Sequence, residues 1–354
     1  MKASFTAILM LTAPVIAFSQ LRASSRAEAL ARELLTKDHL PGLSITVSHE
    51  DSIVWSAGYG FADVQDKRLA TPATRFRIGS LTKLFTATAA ARLAQNGLLD
   101  LDAPVQRYVP SFPDKGTPIT TRLLLGHLSG IRQYGRNEYI NTHHYASVQE
   151  ALTIFENDSL LFVPGTRYHY SSYGYVLVSA VIEGASGKDF LNYLKDSLFS
   201  VLSLPSVSPD YNDSKDTTQA KPYSLDSTNG WVEGPFNENS NRWGAGGFVS
   251  TSRDLVRFGS SLLTDKFLGV DARKVLFTSQ RTTNGRETGV GLGWRIAKDS
   301  LGNIYYHHGG DSIGGRAFLL IYPSTRIVVA ILANLTFAPF GEKEALALAG
   351  LFSD

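Results

Sequence analysis

The run Ser80-Leu81-Thr82-Lys83 sets a hydroxyl and an amine three residues apart, at the head of a stretch, Ser80 to Asn96, whose Ala- and Leu-rich pattern predicts a helix stopped by Gly97. On a helix, positions i and i+3 share a face about one turn apart, so both groups reach the same point in space. A lysine kept neutral can take the serine's proton, and a helix N-terminus favours the negative charge that grows at an attacked carbonyl. Free lysine titrates at about 10.4, so such a site must lower that value by burial or by a neighbouring cation. The same four residues also read as an N-cap serine followed by a solvated lysine. Two other segments bear on the choice. Pro164 to Ser172 leads from a turn into an apolar helix expected over Tyr175 to Ile182, which places Tyr170 at a loop-to-helix junction able to face a cleft. His307-His308-Gly309-Gly310 closes a predicted strand beside another, and glycine there lets a backbone N–H approach a bound carbonyl closely.

Other groups read more simply. His127 is expected to be a satisfied core histidine. The pairs His143-His144 and His307-His308 have no His-x-x-x-His spacing or acidic partner, and neighbours on a strand point to opposite faces, so no metal site is expected. Gly244, Gly246 and Gly247 follow Trp243 without a preceding apolar strand, which is the wrong context for a phosphate-binding loop, and no cofactor is expected. Arg242 and Trp243 either line the cleft or pack at the surface.

The elements that must hold these residues follow from periodicity. Helical spacing over Ala27 to Leu35 precedes two alternating runs, Leu43 to Val47 and Ile53 to Tyr59, joined by a polar turn as an antiparallel hairpin. The chain ends in short apolar runs at hairpin spacing, Gly291 to Ile296, Ile304 to His307, Ala317 to Tyr322 and Ile327 to Leu332, then a helix from Glu342 to Leu351. Between them lie several helices and a polar, loop-like region from Ser206 to Asn241. The pattern predicts an α/β (α+β) fold: an antiparallel sheet built from both chain ends, about 27–79 and 285–354, flanked by helices, with a mainly helical part inserted at about 80–284. The cleft between the two parts is where a ligand site is expected.

Composition narrows the partners. A chain of 354 residues with net charge +2 and no run of like charges offers no footprint for nucleic acid. The absence of cysteine excludes disulfides and thiolate chemistry. Phe5 to Phe18 is an apolar block behind a single charge, Lys2, with small residues at Ala17 and Ser19. Residues 1–19 therefore read as a signal peptide, leaving a mature chain of 20–354, with no later membrane span, in a periplasmic or secreted location.

Ser80-Leu81-Thr82-Lys83, Tyr170-Ser171-Ser172 and His307-His308-Gly309, in this order, resemble the three motifs of the serine β-lactamase and penicillin-binding-protein family of serine hydrolases, in its class C β-lactamase and D,D-carboxypeptidase branch. The likeness extends through Leu123 to Ile131, Gly246 to Thr251 and Gly291 to Trp294, and Leu99 to Pro110 looks most like the family's mitochondrial members and their bacterial relatives. The resemblance implies the β-lactamase/transpeptidase-like fold, Ser80 as nucleophile, and Lys83 and Tyr170 sharing base and proton-shuttle work. It further implies an oxyanion hole from the backbone N–H groups of Ser80 and Gly310, with His307 in the place of the family's Lys or His and His308 in that of its Thr, beside Gly309. Ser172 stands where Asn is usual. A peptide, a D-amino-acid peptide or an ester is the implied substrate. A true β-lactamase, and a non-catalytic penicillin-binding or self-assembling protein, are the alternatives.

Overall fold

The computed structural model describes residues 12–136, 138–213 and 215–353. Helix α1 (Thr12–Lys37) precedes strands β1 (Gly42–His49), β2 (Ser52–Asp63) and the short β3 (Arg68–Leu69). Helices α2 (Thr82–Gln95), α3 (Ser172–Ser186) and α4 (Ser252–Ser261) follow, separated by shorter elements. Strands β4 (Arg295–Lys298), β5 (Ile304–Ser312), β6 (Gly315–Tyr322) and β7 (Ile327–Ala333) and helix α5 (Glu342–Leu351) close the chain. The seven strands form one sheet in the order β3-β2-β1-β7-β6-β5-β4, antiparallel throughout. The two chain ends meet at β1 and β7, in register from Leu43↔Ala333 to His49↔Ile327. Of the expected leader, residues 1–11 lie outside the described residues; the helix α1 begins at Thr12. Among the described residues no helix is long and apolar enough to cross a membrane.

The alternation in β1 has a less usual consequence. Leu43, Ile45 and Val47 pack under α1 and α5 with Ala27, Ala31 and Leu348. A half-buried antiparallel strand usually turns its polar side to water, but Ser44, Thr46 and Ser48 are buried too, beneath α4. Ser252 Oγ lies 2.8 Å from Ser44 Oγ and 2.7 Å from Thr46 Oγ1, and Ser260 Oγ lies 3.0 Å from Ser48 Oγ. Gly259 lets the helix come this close, since a Cβ there would stand 2.6 Å from Val328 Cγ1. Helix α4, inside the stretch expected to be the helical part, thus forms a layer of the sheet. Because Ser252→Val orphans buried hydroxyls, it should cost about 1–3 kcal/mol. A urea midpoint unchanged from wild type would show that the hydroxyl ladder contributes nothing.

Three expected boundaries shift. The strand expected from Gly291 begins only at Arg295, because Gly293 adopts φ +80° and Gly291 N–H bonds back to Trp294 carbonyl at 2.8 Å, closing a turn. The strand expected to end at His307 runs on to Ser312, so His307 to Gly310 lie inside β5. The polar region 206–241 contains a small hairpin, Tyr223–Leu225 with Trp231–Glu233.

Candidate active site

The turn that carries Ser80 rests directly on β5. Ser80 lies in a single 3-10 turn, Gly79–Leu81, that leads into α2. Gly79 has φ +48°, and a Cβ on it would meet the Asp311 carbonyl oxygen at 2.4 Å. From the other side, a Cβ on Gly310 would stand 1.9 Å from the Ile78 carbonyl oxygen. Two glycines therefore allow backbone to touch backbone and set Ser80 at the strand's edge.

Lys83, one turn further on, is wholly buried. Its Nζ lies 3.2 Å from Ser80 Oγ, 3.2 Å from Ser172 Oγ and 2.5 Å from the Ala245 carbonyl oxygen. Burial, aided by the Arg242 guanidinium, pushes its pKa well below the ordinary lysine value. A neutral amine has two N–H groups and one lone pair. Donation to Ala245 and Ser172 leaves the lone pair for the Ser80 hydroxyl.

Tyr170 sits just before Ser171, the N-cap of α3, whose hydroxyl accepts from Gly174 N–H. The Tyr170 ring centroid is 5.0 Å from Lys83 Nζ, and its hydroxyl shares a hydrogen bond with Ser80 that lowers a pKa raised more strongly by burial. Beneath it lies His127, 4.3 Å away between ring centroids. His127 is a buried core residue, as expected, and holds φ +58°, but it is not the fully satisfied histidine expected, since its Nε2 has no hydrogen-bond partner among the described residues. Its Nδ1 accepts from Ser171 N–H at 3.2 Å, so the ring both anchors the α3 cap and supports the tyrosine. Desolvation drives its pKa down and keeps it neutral.

The parity of β5 reassigns the roles given to its four central residues. His307 Nε2 lies 3.9 Å from Glu342 at the start of α5, and its ring stacks on Phe318. His308 instead faces Tyr170 at 6.2 Å, its pKa lowered to about 3 by burial with Lys83 and Arg295 near, so it is uncharged at neutral pH. The backbone follows the same parity. A two-residue turn, Ile313-Gly314, makes Ser312 and Gly315 the hydrogen-bonded closing pair. Counting back, His308 and Gly310 turn their amides toward β6, whereas His307, Gly309 and Asp311 turn theirs to the opposite edge. Strand β4 covers that edge only as far as His307, its partner being Arg295. The free edge amide beside Ser80 therefore belongs to Asp311, and Gly310's is committed to the sheet. The expectation that His307 faces the cleft's reacting centre and that Gly310 supplies an oxyanion donor is corrected accordingly.

Ser80, Tyr170, Ser172, His308 and Asp311 border a cleft of about 540 Å³, and His307 lines it farther out, with Phe318 and Glu342. Its lining includes Gln133, Tyr134 and Arg295, which periodicity and motif spacing did not single out, and Arg242, which was one of two open readings. Gln133 Oε1 accepts from Ser172 N–H at 2.6 Å and so fixes the start of α3. His143 and His144 each approach one glutamate, Glu150 and Glu238, at 3.5 Å.

A buried amine beside a serine, with a tyrosine and a free backbone amide at the same point, defines an active-site serine hydrolase. The sequence pattern of the Beta-lactamase family matches residues 27–351, and the chain belongs to that family. Among its relatives, the mitochondrial serine beta-lactamase-like protein LACTB of Mus musculus is 29% identical over 85% of this chain and 74% of its own. Penicillin-binding protein 4* of Bacillus subtilis is 28% identical over 85% of this chain and 70% of its own. The solved octameric penicillin-binding protein homologue from Pyrococcus abyssi superposes with a TM-score of 0.82 at 27% identity, over 93% of this chain and 77% of that one.

Proposed function

We propose that the protein cleaves an amide or ester bond through an acyl-enzyme on Ser80, with a peptide, a D-amino-acid peptide or a simple ester as acyl donor. The observation that carries this reading is the Lys83 amine held between Ser80 and Ser172 with its pKa lowered. Lys83 takes the Ser80 proton as Oγ attacks the carbonyl carbon. The resulting oxyanion accepts from the amides of Ser80 and Asp311. Tyr170, whose burial keeps it a phenol, passes a proton to the departing nitrogen or oxygen and is reprotonated from Lys83. Water then repeats the sequence on the ester. The opposed shifts, Lys83 lowered and Tyr170 raised, support Lys83 rather than a Tyr170 phenolate as the first base. Ser172 fills the Asn position of the family motif by holding the amine, and its short side chain leaves room on the acyl side.

Export behind a leader of residues 1–19 is part of the same proposal, supported by the apolar run Phe5 to Phe18. The relative from mouse is named as mitochondrial, so the N-terminal residue of the protein from its native host is worth reading: Gln20 supports export.

Intact mass after incubation with a fluorophosphonate and, separately, a penicillin tests the chemistry. Wild type should gain one adduct, which Ser80→Ala should lack. A stable penicillin adduct without turnover points to cell-wall mimics as ligands, and rapid turnover to a β-lactamase. No adduct with either reagent overturns the proposal.

A further inference from the structure

Arg242 is a buried cation on the cleft wall with no counter-ion among the described residues. Only 5% of its surface is exposed, yet it borders the cleft. Its Nε donates to Asn241 Oδ1 at 3.0 Å and Nη2 to the Glu138 carbonyl at 3.3 Å. No carboxylate among the described residues pairs with it, and its remaining guanidinium N–H groups have no protein acceptor there. The nearby acids are already engaged. Glu138 pairs with Arg132 at 2.6 Å, Asp311 with Arg316 at 2.7 Å, and Glu342 faces His307 and Tyr305. An unpaired buried charge is costly unless something compensates it. A planar donor fork left open toward a cleft matches a carboxylate.

The position of Arg242 says which half of a substrate it meets. Its guanidinium lies 5.0 Å over the Tyr134 ring, and Tyr134's hydroxyl meets that of Ser172 on the helical wall. His308 and Arg295 belong to the sheet wall, His308 facing the Tyr170 ring at 6.2 Å. The leaving group must lie where Tyr170 can protonate it, toward His308. The acyl remainder is then directed to Ser172, Tyr134 and Arg242.

We propose that Arg242 reads a carboxylate on the acyl half of the substrate, so that this enzyme prefers acidic acyl donors, such as an aspartyl-type residue preceding the scissile bond. The proposal rests on the serine-hydrolase reading above. Arg242 also acts on Lys83, but that influence falls equally on charged and neutral substrates. Only recognition changes their ratio.

The test compares N-acetyl-aspartyl α-p-nitroanilide with its asparaginyl isostere, in both D and L forms, on the full-length protein. Two readouts are taken with each: release of nitroaniline, and slowing of fluorophosphonate labelling at Ser80. The aspartyl compound should be favoured by about ten- to hundredfold in kcat/KM or in protection, the range of a desolvated charge-assisted pair. Raised salt should shrink that ratio. Arg242→Gln should bring it to about one, and Arg242→Lys should retain part of it. Wild type handling both compounds alike, by both readouts, overturns the proposal without the need for a folded variant. So does a ratio that survives Arg242→Gln. Failure of the fluorophosphonate to label Ser80 at all would instead remove the serine-hydrolase reading, and this proposal with it.

Discussion

Lys83→Met should lower kcat/KM by about 10³- to 10⁴-fold, the upper range for loss of a positioned general base, while raising the melting temperature at neutral pH. The two effects have one cause. Lys83 is wholly buried with its pKa pushed well down by desolvation and by Arg242, so folding must hold a group as the free amine that the unfolded chain would protonate. Between the folded and unfolded pKa values the unfolded state binds more protons, so this group makes stability rise with pH. The penalty is full below the folded value and disappears as pH climbs through the unfolded value of about 10.4. Methionine matches the length of the stem and carries no charge, although it leaves the Ala245 carbonyl without its donor. The gain in melting temperature should therefore be larger at neutrality than at pH 10 and shrink steadily as pH rises. Wild-type kcat/KM should rise with pH along a limb set by the depressed amine. A variant less stable than wild type at pH 7, or a wild-type limb centred at the value of free lysine, would show that Lys83 is not held neutral by the fold.

That site was partly legible before any coordinates. The Ser80 to Lys83 spacing depends only on helical geometry, and the structure keeps it, with the detail that the serine's own turn is 3-10. The sheet was legible for the same local reason, because Leu43 to Val47 and Ile327 to Leu332 carry their own strand signal. What depended on tertiary contact was not. Alternation alone does not show that the hydroxyls of Ser44, Thr46 and Ser48 are buried, because their partners, Ser252 and Ser260 of α4, lie more than 200 positions away in the chain. Arg295 gave no signal of its own, since one arginine after an apolar run is ordinary until β4 is seen to begin beside His307. Arg242 was visible as a candidate, but only burial without a counter-ion gives it a direction.

The sharpest limit was parity along His307-His308-Gly309-Gly310, and it supports a discriminating prediction. Two identical side chains followed by two glycines carry no alternation, so a shift of one residue leaves the pattern unchanged while exchanging both faces. The hairpin closing at Ser312 and Gly315 fixes it. His308→Ala should then cost kcat/KM about 10²-fold or more, as the loss of a neutral imidazole packed against the proton-relaying tyrosine. His307→Ala, which empties a site between Phe318 and Glu342 at the cleft's rim, with the opposite parity to His308, should cost much less in rate and show mainly in melting temperature. The glycines extend the test to the backbone. An alanine at Gly310 would put its Cβ 1.9 Å from the Ile78 carbonyl and displace the nucleophile turn, so labelling of Ser80 by a fluorophosphonate should be lost. At Gly309 the nearest atoms, Arg316 Nη1 and Phe318 Cδ2, stand 3.5 Å away, an ordinary contact distance, and labelling should persist. If His307→Ala proved the more damaging and Gly310→Ala the better tolerated, the opposite parity would hold, and the oxyanion donor would return from Asp311 to Gly310.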